Sequence, residues 1–172
     1  IKELSRLQEE SKFEEIVNLC TENLKSEPDN LFLLTTKANA AYEIGRIPAF
    51  SIVLTCIEKI LEQSPNDIES LILQVRTLRR LDRIDEAKIW LESAERIEPD
   101  NPDVLLQKSG MLINASRLSA AKKVLKRLEG KDQQQAFINL GAIAWIEKKY
   151  DDARFMLERN IVFNPKDAKS YL

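Results

Sequence analysis

The tetrapeptide Glu98-Pro99-Asp100-Asn101 marks the type of boundary that decides the fold of this chain. Proline lacks a backbone N–H and disfavours helix at the residue before it, so a preceding helix ends here. The Asp or Asn that follows can cap the next helix by accepting its free N–H groups. Similar tetrapeptides occur at Glu27-Pro28-Asp29-Asn30, Ser64-Pro65-Asn66-Asp67 and Asn164-Pro165-Lys166-Asp167.

The prolines of these boundaries follow a regular interval, which indicates an internal repeat. Successive intervals are 37, 34 and 66 residues, and 66 corresponds to two repeats of 33. A further boundary is therefore expected near residue 132, where Gly130-Lys131-Asp132 supplies a break.

Apolar residues between the boundaries recur with helical period. After Pro65, two such sets flank a short turn at Asp82-Arg83. The sets are Ile68, Leu71, Ile72, Val75 and Leu78, then Ile84, Ala87, Leu91, Ala94 and Ile97. This pattern predicts two helices joined by a tight turn. Neither helix could bury its apolar stripe alone, so neighbouring pairs must stack.

Small side chains recur at positions where the helices are expected to cross closely. They are Ala38, Ala87, Ala94, Ser109, Ala121, Gly141 and Ala153. The second repeat carries three extra residues around 47–50. We expect them to lengthen its second helix or to loosen the turn before it.

The composition excludes several classes of function. The 172 residues include no histidine, the commonest general base and metal ligand, and only four glycines. Cys20 and Cys56 are too far apart for a metal-ligand motif, and they are interpreted as buried free thiols. The net charge of −2 shows no basic excess of the kind that nucleic-acid binding proteins carry. We therefore expect no enzyme activity, no cofactor and no metal.

Two repeats carry residues that resemble the tetratricopeptide repeat (TPR) family, whose pattern has an aromatic, Leu-Gly, Ala-x-x-x-Phe and Pro within 34 residues. The last repeat has Phe137, Leu140-Gly141, Ala144, Tyr150, Ala153, Leu157 and Pro165. The third has Leu71, Val75, Leu78, Ala87, Leu91, Ala94 and Pro99. The resemblance implies an all-α fold, a right-handed α-solenoid of about five tandem helix–turn–helix repeats.

We predict a single TPR solenoid over residues 1–172. Its expected repeats are 1–30 (partial), 31–67, 68–101, 102–133 and 134–167, and 168–172 would begin a further or capping helix. Since the chain opens without methionine and apparently inside a helix, we expect it to be a fragment.

The resemblance also implies that the first helix of each repeat lines a concave groove. Four arginines on one such helix lie at i, i+3, i+4 and i+7 and are expected to share a face: Arg76, Arg79, Arg80 and Arg83. Guanidinium groups suit bidentate capture of carboxylates. The alternative is a solvated face paired with Glu69, Asp82 or Asp103.

Other groove candidates are amides and aromatic residues. The amides are Asn39, Gln107, Asn114 and Asn139. They could hydrogen-bond the backbone of an extended peptide, or serve solubility alone. Tyr42 and Trp145 could anchor a partner, or they could pack between repeats.

The leading hypothesis is a protein–protein interaction scaffold that binds a peptide or helix of a partner in the concave groove. The alternative is a regulatory or docking segment of a larger enzyme or multi-protein complex. Nucleic-acid binding is disfavoured, no segment is apolar enough to span a membrane, and self-association through the solenoid ends stays open. A cytoplasmic location is expected.

Overall fold

The computed structural model describes residues 2–128 and 133–163. Within them the regular secondary structure is α-helical, in ten helices. These are α1 (Lys2–Glu9), α2 (Phe13–Asn23), α3 (Leu31–Ile44), α4 (Ile47–Gln63), α5 (Ile68–Arg80), α6 (Ile84–Ile97), α7 (Pro102–Asn114), α8 (Leu118–Lys126), α9 (Gln133–Ile146) and α10 (Tyr150–Phe163). The predicted breaks at 130–132 and Pro165, and the segment 168–172, lie outside the described residues.

The helices form five successive pairs, each joined by a short turn: α1–α2, α3–α4, α5–α6, α7–α8 and α9–α10. The two helices of each pair pack against each other. This arrangement confirms the expected fold class of about five tandem helix–turn–helix repeats.

The residue two positions after each described boundary proline caps the following helix, as predicted. The side chain of Asn30 accepts a hydrogen bond from the amide of Leu33 at 3.1 Å. The Asp67 carboxylate accepts one from the amide of Ser70 at 3.0 Å. Asn101 accepts hydrogen bonds at the start of α7 in the same way. Each cap satisfies N–H groups that the first turn of a helix leaves without intrahelical acceptors.

The turn inside each pair contains one residue in the left-handed backbone conformation: Ser11, Gly45, Asp82, Ser116 and Lys148. In the third pair, the amide of Asp82 donates to the carbonyl of Arg79, and the next amide, of Arg83, donates to the carbonyl of Leu78 at 2.9 Å. The same two bonds recur in the first, fourth and fifth pairs. They satisfy the last carbonyls of the first helix and allow the second helix to begin at once.

The extra residues of the second repeat lengthen its second helix. Helix α4 has 17 residues, whereas α6 has 14. The turn before α4 stays short, with Gly45 at a φ of 69°. The first of the two expected alternatives is therefore the one observed.

The chain divides into two compact units, residues 1–97 and 98–172. The core of the first unit includes Ile16, Val53 and Ile57, and that of the second includes Leu105 and Leu125. The predicted small residues are all buried: Ala38, Ala87, Ala94, Ser109, Ala121, Gly141 and Ala153.

Both cysteines belong to the core of the first unit, and both are free and buried, as expected. Burial raises the pKa of the Cys20 thiol and of the Cys56 thiol, so both favour the neutral form.

Enlarging Ala87 should destabilise the first unit. Its side chain is 0% exposed, so Ala87→Leu must displace neighbouring atoms, at a cost of about 1–3 kcal/mol. We expect a lower Tm by circular dichroism. Glu92→Leu, which adds the same side chain at an exposed position of α6, is the control. Equal Tm values for the two variants would contradict the register of α6.

Removing the cap of α5 should also destabilise the protein. Asp67→Ala leaves the amide of Ser70 without its side-chain acceptor and should cost about 0.5–2 kcal/mol. Asp67→Asn keeps an acceptor and should stay close to the wild type. Urea denaturation measures the free energy of unfolding, and equal losses in the two variants would show that the cap is not the cause.

Candidate functional site

Across residues 2–128 and 133–163, no three His, Cys, Asp or Glu side chains are placed to hold a metal ion. Nor does this part of the chain contain a helix long and apolar enough to cross a membrane. The predicted groove residues divide between the two units: the first contains Asn39, Tyr42, Arg76, Arg79 and Arg80, and the second contains Gln107, Asn114, Asn139 and Trp145.

In the first unit, an arginine pair is stacked on a buried tyrosine. The guanidinium carbon of Arg76 lies 4.5 Å from the centre of the Tyr42 ring, and that of Arg80 lies 5.8 Å away. Tyr42 is only 9% exposed, and the Phe50 ring contacts it at a centroid distance of 6.0 Å. Helices α3 and α4 therefore hold the ring on which α5 places its arginines.

This stacking orients Arg76 and Arg80 without neutralising them. Each cation–π contact contributes about 0.5–1 kcal/mol at an exposed site. Both arginines are exposed. Within the described residues of the 1–97 unit neither forms an ion pair with a carboxylate, so the expected alternative of pairing with Glu69 or Asp82 is not observed for them.

The expectation that four arginines share one face is wrong for Arg83. Helix α5 ends at Arg80, and Asp82 adopts a left-handed φ of 58°, which redirects the chain. Arg83 therefore lies at the start of α6, where its guanidinium donates two hydrogen bonds of 2.6 Å to the Glu86 carboxylate. These bonds raise the pKa of Arg83 and lower that of Glu86.

Arg79 differs from its neighbours in burial. It is half-buried, and desolvation lowers the pKa of its guanidinium, although the nearby Tyr42 raises it. The exposed cationic surface of α5 therefore consists of Arg76 and Arg80. Asn39 is exposed on α3, three residues before Tyr42, so it lies on the adjoining turn of the same helix.

In the second unit, the side chain of Asn139 forms hydrogen bonds within the protein. Its side-chain amide donates to the Ser109 hydroxyl at 2.8 Å and approaches the Leu106 carbonyl at 3.5 Å, which links α9 to α7. Ser109 is fully buried and itself donates to the Leu106 carbonyl. Gln107 is half-buried, and Asn114 is exposed at the last position of α7.

Trp145 lies on the surface rather than in the core. Its side chain is 65% exposed, and its ring meets that of Tyr150 edge to face at 5.1 Å. Ile146, at the end of the same helix, is 50% exposed. The ring is therefore not part of the core of the second unit, and its role as an anchor for a partner stays a prediction.

Sequence reasoning missed that Tyr42 supports the arginines. Of the two alternatives for Tyr42, a partner anchor or packing between repeats, the second is closer to what is observed, because the buried ring is covered by Arg76 of the next repeat. The available signal was the repeat itself, because Tyr42 and Arg76 lie on the first helices of two successive repeats, which must stack on each other.

Solved structures of TPR proteins have the same fold as this chain. TTC0263, a thermophilic TPR protein of Thermus thermophilus, has a TM-score of 0.80 at 17% identity, over 99% of this chain and 93% of that chain. PilW, a type IV pilus biogenesis factor, has a TM-score of 0.74 at 18% identity, over 94% of this chain and 74% of that chain. YrrB, a TPR protein with an unusual peptide-binding site, has a TM-score of 0.61 at 16% identity, over 99% of this chain and 88% of that chain.

No sequence-family model matches the chain, and no curated protein matches it in sequence. Its tetratricopeptide-repeat fold, expected from the residues, is confirmed by these structures.

Replacing Asn139 should cost stability. Asn139→Ala removes the donor to Ser109 and should lower the free energy of unfolding by about 1 kcal/mol. Asn114→Ala, an exposed amide on α7, should leave it nearly unchanged. Chemical denaturation of both variants tests this difference, and a neutral Asn139→Ala would mean that the bond to Ser109 contributes nothing net.

Proposed function

We propose that this chain is a non-enzymatic protein-interaction module that binds an acidic peptide or helix of a partner on the α3–α5 surface. The observation that carries the proposal is the stacking of Arg76 and Arg80 on the buried ring of Tyr42. In the TPR fold this surface belongs to the first helices of successive repeats, which the resemblance assigns to the concave groove.

The arginine pair is suited to carboxylates for two reasons. A guanidinium group presents N–H donors in a planar fork that matches the two oxygens of a carboxylate. The ring of Tyr42 also limits the orientations of both side chains, so less conformational entropy is lost when a ligand binds. An acidic segment can therefore bind to two cations that are already in position.

The neighbouring residues add features that a peptide ligand would use. Asn39 is exposed close to Tyr42 along α3, and an amide can both donate to and accept from a peptide backbone. Among the structural relatives, YrrB is described as having a peptide-binding site, which supports peptide binding as a use of this fold.

The arginine pair should determine the affinity for an acidic peptide. The probe is a fluorescein-labelled peptide of alternating Glu and Ala, measured by fluorescence anisotropy. Arg76→Glu/Arg80→Glu should raise its Kd at least about tenfold, since each hydrogen bond to a charged group contributes about 1.5–3 kcal/mol. Added salt should weaken wild-type binding, because exposed charges are screened.

The matched control is Lys88→Glu/Arg96→Glu, which makes the same change in net charge at exposed positions of α6. It should retain most of the affinity, and a peptide of alternating Lys and Ala should not bind the wild type. If the two double variants lose affinity equally, the effect is one of overall charge and the assignment to Arg76 and Arg80 is wrong.

A further inference from the structure

The 98–172 unit has a surface cavity that is lined by apolar and cationic side chains. Helices α8, α9 and α10 line a cavity of about 450 Å³ that is open to solvent. This volume falls within the range of about 300–1,000 Å³ that is typical of ligand pockets. Its apolar lining consists of Leu125, Leu128, Ala136, Phe137 and Leu140.

Among the described residues that line the cavity, the charged ones are cationic: Lys122 and Lys126 on α8, and Arg159 on α10. The two lysines are four residues apart, so they share a helix face, and Arg159 lies on a different helix of the rim. Two of the three helices, α8 and α10, therefore place positive charges at the rim of the cavity, and the apolar lining residues form its floor.

Two of these cations have no carboxylate partner within the described parts of the chain, namely Lys126 and Arg159. Lys122 instead forms an ion pair of 2.6 Å with Glu147. The guanidinium of Arg159 lies 4.9 Å from the centre of the Phe155 ring and 5.8 Å from that of Phe137. Two aromatic rings therefore orient Arg159 at the mouth of the cavity.

The cavity is separate from the predicted groove face of its own unit. At about 100° per residue, the centre of the face formed by Phe137 and Leu140 lies opposite the centre of the face that carries Asn139 and Trp145, although Trp145 is only about 80° from Phe137. A ligand in the cavity would therefore leave the groove positions of α9 uncovered.

We propose that this cavity is a second docking site, outside the groove, for an acidic segment of a partner protein that inserts one large apolar side chain. The apolar floor accepts the inserted side chain, as buried aromatic anchors do in protein interfaces. Carboxylates on either side of that anchor pair with Lys126 and Arg159. Cations on two helices match a segment with several carboxylates better than a ligand with a single one.

The test uses the fluorescein-labelled peptide Glu-Asp-Glu-Phe-Glu-Asp-Glu and fluorescence anisotropy with the full chain. All measurements are made in the Arg76→Glu/Arg80→Glu background, so that acidic peptide bound at the α3–α5 surface does not contribute. Failure of the proposed function would therefore leave this test unaffected. A second peptide has glycine in place of phenylalanine.

The informative variant is Lys126→Glu/Arg159→Glu. Its matched control is Lys123→Glu/Arg154→Glu, which reverses two exposed cations on the same two helices that do not line the cavity. We expect the first to raise the Kd at least about tenfold and the second to leave it within about twofold, because only the first places like charges beside the ligand. Circular dichroism shows whether all variants remain folded.

The glycine peptide should bind at least about tenfold more weakly than the phenylalanine peptide, because it leaves the floor unfilled. Absence of binding by the phenylalanine peptide would overturn the proposal. So would equal affinities of the two peptides, or equal losses in the two double variants.

Discussion

The left-handed residue in the turn of each helix pair is the constraint on which the repeat depends. It lets two successive amides bond back to the last carbonyls of the first helix, as those of Asp82 and Arg83 do. The second helix then begins without a loop and lies against the first. Because a left-handed residue recurs in the turn of every described pair, the two helices of a pair lie close together, and alanines such as Ala87 and Ala153 are buried.

The same geometry explains how charged residues acquire different roles. A turn that redirects the chain at Asp82 separates Arg83 from Arg76 and Arg80 and places it beside Glu86. Stacking of one repeat on the next brings the Tyr42 ring beneath the two arginines that remain on α5. On this part of the first unit, backbone geometry therefore separates the neutralised Arg83 from the two exposed cations Arg76 and Arg80.

Much of the fold followed from local chemistry. The prolines and the capping residues Asn30, Asp67 and Asn101 predicted where helices begin and end, because both effects act within a few residues. The candidate site was less predictable. Helical spacing wrongly kept Arg83 on the face of α5, although the sequence also predicts a turn at Asp82-Arg83 that ends this face. Asn139, by its residue type, could equally have faced a ligand or Ser109.

The amino-acid sequence by itself determined the helical pairs, their period, the buried small residues and the free thiols, because periodicity, proline and capping act locally. Only the tertiary structure decided which polar side chains are available. The 2.8 Å bond to Ser109 occupies Asn139, and the ring of Tyr42 holds Arg76 outward. Such contacts join residues about one repeat apart in sequence, and their geometry depends on how two helices pack rather than on either helix alone.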